Sequence, residues 1–134
     1  MLMDYEMGCH DVSDAEAKKI ALEYERANWR VFRLPRFMSS VSDFFKGVRL
    51  VLPLDPPLQS SGNWNALADS LWEGIANLDS DKILIVWPDA NLIETSRPDA
   101  NEIIMELFTD LCDTLATSEY TDSPKKVLVL RVAI

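Results

Sequence analysis

The sequence predicts an α/β domain: a small three-stranded parallel sheet packed with helices, preceded by an N-terminal helical extension. Two short apolar runs, KILIVW at 82–87 and KVLVLRVAI at 126–134, have the look of buried parallel strands bounded by turn signals. A third run, WRVFRL at 29–34, is ended by Pro35, whose ring cannot continue a ladder. Between the runs, apolar residues recur every three or four positions. The order strand, helices, strand, helix, strand then favours parallel pairing through helical crossovers.

Taken in order, Ser13 and Glu16 form a capping box for a helix over about 14–27, with Ala17, Ile20, Ala21 and Tyr24 on its apolar stripe. Residues 41–52 predict a second helix beginning at Ser40 or Ser42, against which Gly47 and the valines count. LDPPLQSSGN at 54–63 reads as a hinge or binding loop and not a domain boundary. A helix follows over 64–77, and Pro88-Asp89 stops the strand after it. Asp99 as cap, with Glu102 three residues on, opens a last helix whose stripe is Ile103, Ile104, Leu107, Phe108, Leu111 and Leu115. The loop ATSEYTDSP leads into the final strand. There is no internal repeat.

At 134 residues the chain can bury a core without disulfides or metal, and its 48% hydrophobic content argues against disorder. No apolar run approaches the roughly 20 residues that span a bilayer. The first residues lack a basic flank and an apolar stretch, so no secretory signal is expected. Cys9 and Cys112 are too few for a disulfide framework and predict free thiols in a reducing cytoplasm.

The net charge of −9 is unevenly spread. Arg26, Arg30, Arg33, Arg36, Lys46 and Arg49 stand against Asp43 alone in 26–49, whereas 50–113 holds twelve acids against Lys82 and Arg97. The basic stretch reads as a strand flanked by solvated arginines. The acidic surface repels nucleic acid and attracts a basic partner, unless it serves solubility alone.

Enzyme signatures are thin. The single histidine, His10, sits beside Cys9 in an N-terminus expected to be mobile, with no third group evident for a thiol nucleophile. A zinc site needs more Cys and His than the chain has, and Gly8, Gly47, Gly62 and Gly74 are too scattered to cradle a phosphate. Glu94, Asp99 and Glu102 read better as a solvated helix start than as a cation site. No catalytic residue, metal or cofactor is expected.

The segment GNWNALADSLWEG, 62–74, carries more information. A turn of 100° per residue puts Asn65, Asp69, Trp72 and Glu73 on one side and Trp64, Leu67, Leu71 and Ile75 on the other. An exposed tryptophan beside paired carboxylates has the composition of an interaction hot spot, though an ordinary solvated face shares it.

Asn63, Trp64, Ala66, Leu67, Asp69 and Leu71 match the pattern of the barstar family, ribonuclease inhibitors in which this helix follows a glycine. The chain resembles that family over about 29–134: an apolar strand ends in Trp87, and a helix with Phe108 and a last strand follow. The resemblance implies a barstar-like fold for 29–134, with 1–28 as the helical extension. It further implies a cytoplasmic bacterial immunity protein, of toxin–antitoxin type, that plugs the active site of a basic ribonuclease or nuclease toxin. The implied partner-binding residues are Asn63, Trp64, Asn65, Asp69, Trp72, Glu73 and Asp110, with Asp69 as the carboxylate that replaces a substrate phosphate.

This sequence departs from the family in placing Asn65 where an aspartate is usual and Ala68 where an aromatic is frequent. Its loop at 55–61 has no aromatic residue. Asn65 keeps hydrogen-bonding capacity but not charge-assisted bonds, so a non-nuclease basic partner is the alternative. A monomer is favoured.

Overall fold

A computed structural model describes residues 6–117, 119 and 121–133. Residues 1–5, Ser118, Tyr120 and Ile134 lie outside the described residues, and with them parts of the N-terminal stretch, of the ATSEYTDSP loop and of the last apolar run.

The elements run β1 (Gly8–Val12), α1 (Asp14–Arg26), β2 (Arg30–Arg33), α2 (Val41–Val51), α3 (Trp64–Ala76), β3 (Lys82–Trp87), α4 (Asn91–Ser96), α5 (Pro98–Leu115) and β4 (Lys126–Val132). The strands form one sheet in the order β1-β4-β3-β2, and every pairing is parallel. The sheet therefore has four strands, not the three expected. The extra one is β1, where Gly8 pairs with Leu128 and Val12 with Val132. Cys9 and His10 lie in this strand and not in a loose terminus.

Successive side chains of a strand point to opposite faces. Ile83, Ile85 and Trp87 join Val127 and Val129 on one face, where Phe44, Phe45 and Val48 of α2, Leu67, Leu71 and Ile75 of α3, and Ile104, Phe108 and Leu111 of α5 cover them. Leu84, Val86, Leu128, Leu130 and Val132 occupy the other face, beneath Ala17, Ile20, Ala21 and Tyr24 of α1. The unbroken apolar runs of β3 and β4 have this cause, since both sides of each strand are roofed.

Local chemistry sets the helix limits. Ser13 accepts a bond from the Glu16 amide at 3.1 Å, the N-cap half of the expected capping box, and its hydroxyl donates to the Glu16 carboxylate. Ser40, and not Ser42, caps α2 through the Asp43 amide at 3.0 Å. A β-carbon on Gly47 would lie 2.5 Å from Met38 Sδ, so this glycine lets the chain ahead of α2 pass close to the helix. At α5 the expected cap is displaced. Arg97 holds the cap position without a side-chain bond, and Asp99 lies inside the first turn, where the Arg97 guanidinium holds it at 3.0 Å. The one-and-a-half-turn α4 was not anticipated; it fills the corner between β3 and α5.

Two arginines lock the carboxyl ends of the strands. Arg131 is almost enclosed, stacks over Trp87 at 5.1 Å and pairs with Asp11 of β1 and Glu94 of α4. Arg36 forks onto Asp89, a buried carboxylate just past β3 that also accepts the Phe37 amide at 2.8 Å. The Arg36 bonds hold the Asp89 carboxyl below the usual carboxylate range, against the opposing effect of its burial.

Candidate functional site

The helix that the sequence singled out begins after Gly62, whose φ of 98° favours a residue without a β-carbon. Asn63 then caps α3, its side-chain oxygen accepting the Ala66 amide at 3.0 Å. Trp64 leans into the core, with its ring 4.8 Å from that of Phe45 and 6.1 Å from that of Phe44. Leu67, Leu71 and Ile75 are fully buried behind it. These contacts fix which way the helix faces, and they leave Asn65, Asp69 and Glu73 exposed.

Trp72 differs from its expected place on a fully exposed face. It is half-buried between α3 and α5, and its indole N–H donates to Thr114 Oγ1 at 2.9 Å. The Thr114 hydroxyl in turn donates to the main-chain carbonyl of Asp110 at 2.7 Å. The reason lies in the packing of α5, which approaches α3 along this edge and covers part of the ring. Here the two helices enclose a shallow groove of about 160 Å³ floored by Ala68, Trp72, Leu107 and Leu111. Asp69 from α3 and Asp110 from α5 both line it. The fold thus brings Asp69, Trp72 and Asp110 together. Asn65 and Glu73 are on the exposed side of α3, whereas Asn63 and Trp64 are engaged in capping and core packing.

The loop ahead of α3 is fastened to it. A β-carbon at Gly74 would lie 2.1 Å from the Pro53 carbonyl oxygen, so backbone rests directly on the helix there. The Asp55 amide donates to the Ser70 carbonyl at 3.0 Å, and the Asn77 side-chain amide donates to the Asp55 carboxylate at 3.0 Å. Arg49 reaches from α2 to the Ser61 hydroxyl at 3.3 Å. Sequence reading missed Thr114, Gly74 and these anchors. The small residue at 74 facing a proline-rich loop was the available signal.

The surface charge beside the groove is acidic. Glu106 and Asp113 of α5 are exposed with Asp110, and no described ion pair engages any of the three or Asp69 or Glu73. The other acid cluster considered, Glu94, Asp99 and Glu102, is partly spent on Arg131 and Arg97. Among the described residues no three metal-ligating side chains converge. Burial raises the pKa of both cysteine thiols, with Cys112 the more enclosed, and so holds them in the less nucleophilic protonated form. No helix of the described residues is long and apolar enough to cross a membrane.

Carboxylates, an amide and a partly exposed indole on a rigid helix pair are the equipment of a protein-binding surface. The family model for barstar, the barnase inhibitor, matches residues 29–129, and the chain belongs to that family. Searches of curated proteins and of solved structures found no match.

Proposed function

We propose that the chain is an inhibitor of a basic microbial ribonuclease, acting as a cytoplasmic bacterial immunity protein that covers the enzyme's active site with α3 and the loop before it. The observation that carries this reading is the pair Asp69 and Asp110, contributed by two helices to one groove around Trp72. A ribonuclease active site must hold an anionic phosphate, so it offers cations to which such carboxylates can bond in place of the substrate. Asp69 acts as the main anchor and Asp110 as a second, with Glu73 and Asn65 beside them on the exposed helix face. Asn63 and Trp64 contribute by fixing the start and the facing of α3. Residues 29–134 are the barstar-like unit in this reading, and 1–28 an addition to it.

No catalysis by this chain is involved. Opposite charges speed the encounter, and desolvated carboxylate–arginine pairs slow release. A barstar-like module for a basic partner that is not a nuclease is the second reading. It is favoured by Asn65, which supplies hydrogen bonds at that place but no charge.

The test is a titration of the purified chain into a panel of small basic ribonucleases and nuclease toxin domains while RNA cleavage is followed. One-to-one loss of cleavage by a panel member supports inhibition. Undiminished cleavage throughout, with no complex on a sizing column, sinks the inhibitor reading.

A further inference from the structure

Cys9 and Cys112 are far apart in the sequence, yet the fold brings both to one interface, where α5 packs on β1. Cys9 pairs with Val129 in the sheet, so its side chain points to the same face as that of Val129. α5 covers this face, and Cys112 is fully buried in the core cluster against which Cys9 packs. The two thiols cross-brace the interface. Cys9 meets the side chain of Thr109, one helical turn before Cys112, and Cys112 meets the backbone of Gly8, the residue before Cys9. Each sulfur thus lies in the immediate neighbourhood of the other cysteine. Burial raises the Cys112 pKa, and the nearness of Cys9 raises it further.

A disulfide joins residues whose Cα atoms are about 4.4–6.8 Å apart. Contact of the Cys112 sulfur with the residue next to Cys9 is compatible with that spacing. Both cysteines are free thiols, and neither lines the groove, which lies on the side of α5 that carries Asp110 and Thr114.

We propose that Cys9 and Cys112 are a reversible redox pair that closes into a disulfide fastening β1 to α5, with a small-molecule disulfide as the oxidant. Cys9, the less enclosed of the two, attacks one sulfur of the small disulfide. One small thiol leaves with the Cys9 proton, and a mixed disulfide remains on Cys9. The Cys112 sulfur then attacks the Cys9 sulfur and expels the second small thiol, which takes up the Cys112 proton. The protein gives up two electrons and two protons, and one small disulfide becomes two thiols.

The bridge would tie the added N-terminal strand to the family domain, since β1 lies outside residues 29–129 and α5 inside them. β1 is an edge strand with β4 as its partner in the sheet, so a second attachment opposes its fraying. In a reducing compartment the pair stays open, in keeping with the free thiols expected from the sequence. The proposal goes beyond inhibition and does not depend on a nuclease being the partner.

The experiment equilibrates the wild-type chain in mixtures of reduced and oxidised glutathione, in native buffer and in urea, starting from reduced and from oxidised protein. Burial keeps both thiols protonated and slows exchange, so the equilibrium and not the rate is the measure. In native buffer the product should be a monomer lighter by two hydrogens, with the Cys9 and Cys112 peptides joined in a non-reducing digest. The effective concentration of the thiol pair should be at least ~10-fold higher in native buffer than in urea, because a fold that aligns the sulfurs favours closure. The oxidised chain should also melt at a higher temperature than the reduced one. Cys9→Ser, a change at a half-buried position, should fold and show neither the two-hydrogen loss nor the shift in melting. A native chain that carries glutathione on Cys9 alone, links to a second chain, or keeps both thiols reduced across the range overturns the proposal. So does an effective concentration no higher in native buffer than in urea.

Discussion

Trp72 donates its indole N–H to Thr114 at 2.9 Å, and this bond ties α3 to α5 at the groove that Asp69 and Asp110 share. Two carboxylates from different helices work as one site only while the helices hold their spacing. In the proposed reading Thr114 positions the two helices and needs no contact with a partner of its own. Thr114→Val keeps the volume and removes the acceptor, and should cost about 1 kcal/mol in urea denaturation. It should also raise the indole's exposure to quenchers. An unchanged midpoint and unchanged quenching would separate the two helices' spacing from this bond.

Asp89 gives a signed prediction about pH. Its carboxyl pKa is lowered in the folded chain, chiefly by the Arg36 bonds. Its contribution is fully present above the unfolded carboxyl value of about 4 and is lost as pH falls through that value towards the lower folded one. Asp89→Asn should cost about 2 kcal/mol at neutral pH, the scale of hydrogen bonds to a charged group. The gap between wild type and variant should narrow below about pH 4. A gap independent of pH would mean that the charge of Asp89 contributes nothing to folding.

Gly74 faces backbone, not a side chain that could turn aside. Gly74→Ala forces the Pro53 carbonyl away from α3, since the added carbon would lie 2.1 Å from it. Overpacking of this kind costs roughly 1–3 kcal/mol. The prediction is a lowered thermal midpoint together with faster amide exchange at Asp55, whose amide bonds to Ser70. Parental stability and exchange would show that the loop rests on the helix more loosely than described.

The second face of the sheet needs α1. Ile20 is fully buried against the far side of β3 and β4, so Ile20→Ala should cost about 2–5 kcal/mol. Removing residues 1–28 should leave Leu84, Leu128 and Leu130 uncovered and yield an aggregating or dye-binding product. A soluble, cooperatively folding truncation would show that 29–134 is self-sufficient.

Much of this architecture could be read from the residues. β3 coincides with its apolar run, Ser13 and Glu16 marked the start of α1, and the spacing of Leu67, Leu71 and Ile75 set the inner face of α3. β1 could not be read, because GCHDV mixes glycine, histidine and aspartate without the alternation of a strand. Its pairing is supplied by β4, which is distant in sequence. α4 is too short to show a period. The aspartate expected to cap α5 is held instead by its neighbour Arg97. At the site, the acids of α3 were legible from periodicity alone. The half-burial of Trp72 was not, because it depends on where α5 crosses, and local spacing carries no information about Thr114, 42 residues further along the chain.

Asp69 is the residue on which the functional account rests most. The most direct measurement is the dissociation constant of wild-type and Asp69→Ala chains for a basic ribonuclease that the wild type inhibits, with circular dichroism to verify folding. Asp69→Ala should weaken binding by at least ~2 kcal/mol, about thirtyfold, with the fold unchanged. A folded Asp69→Ala chain that binds as tightly as the parent would contradict it.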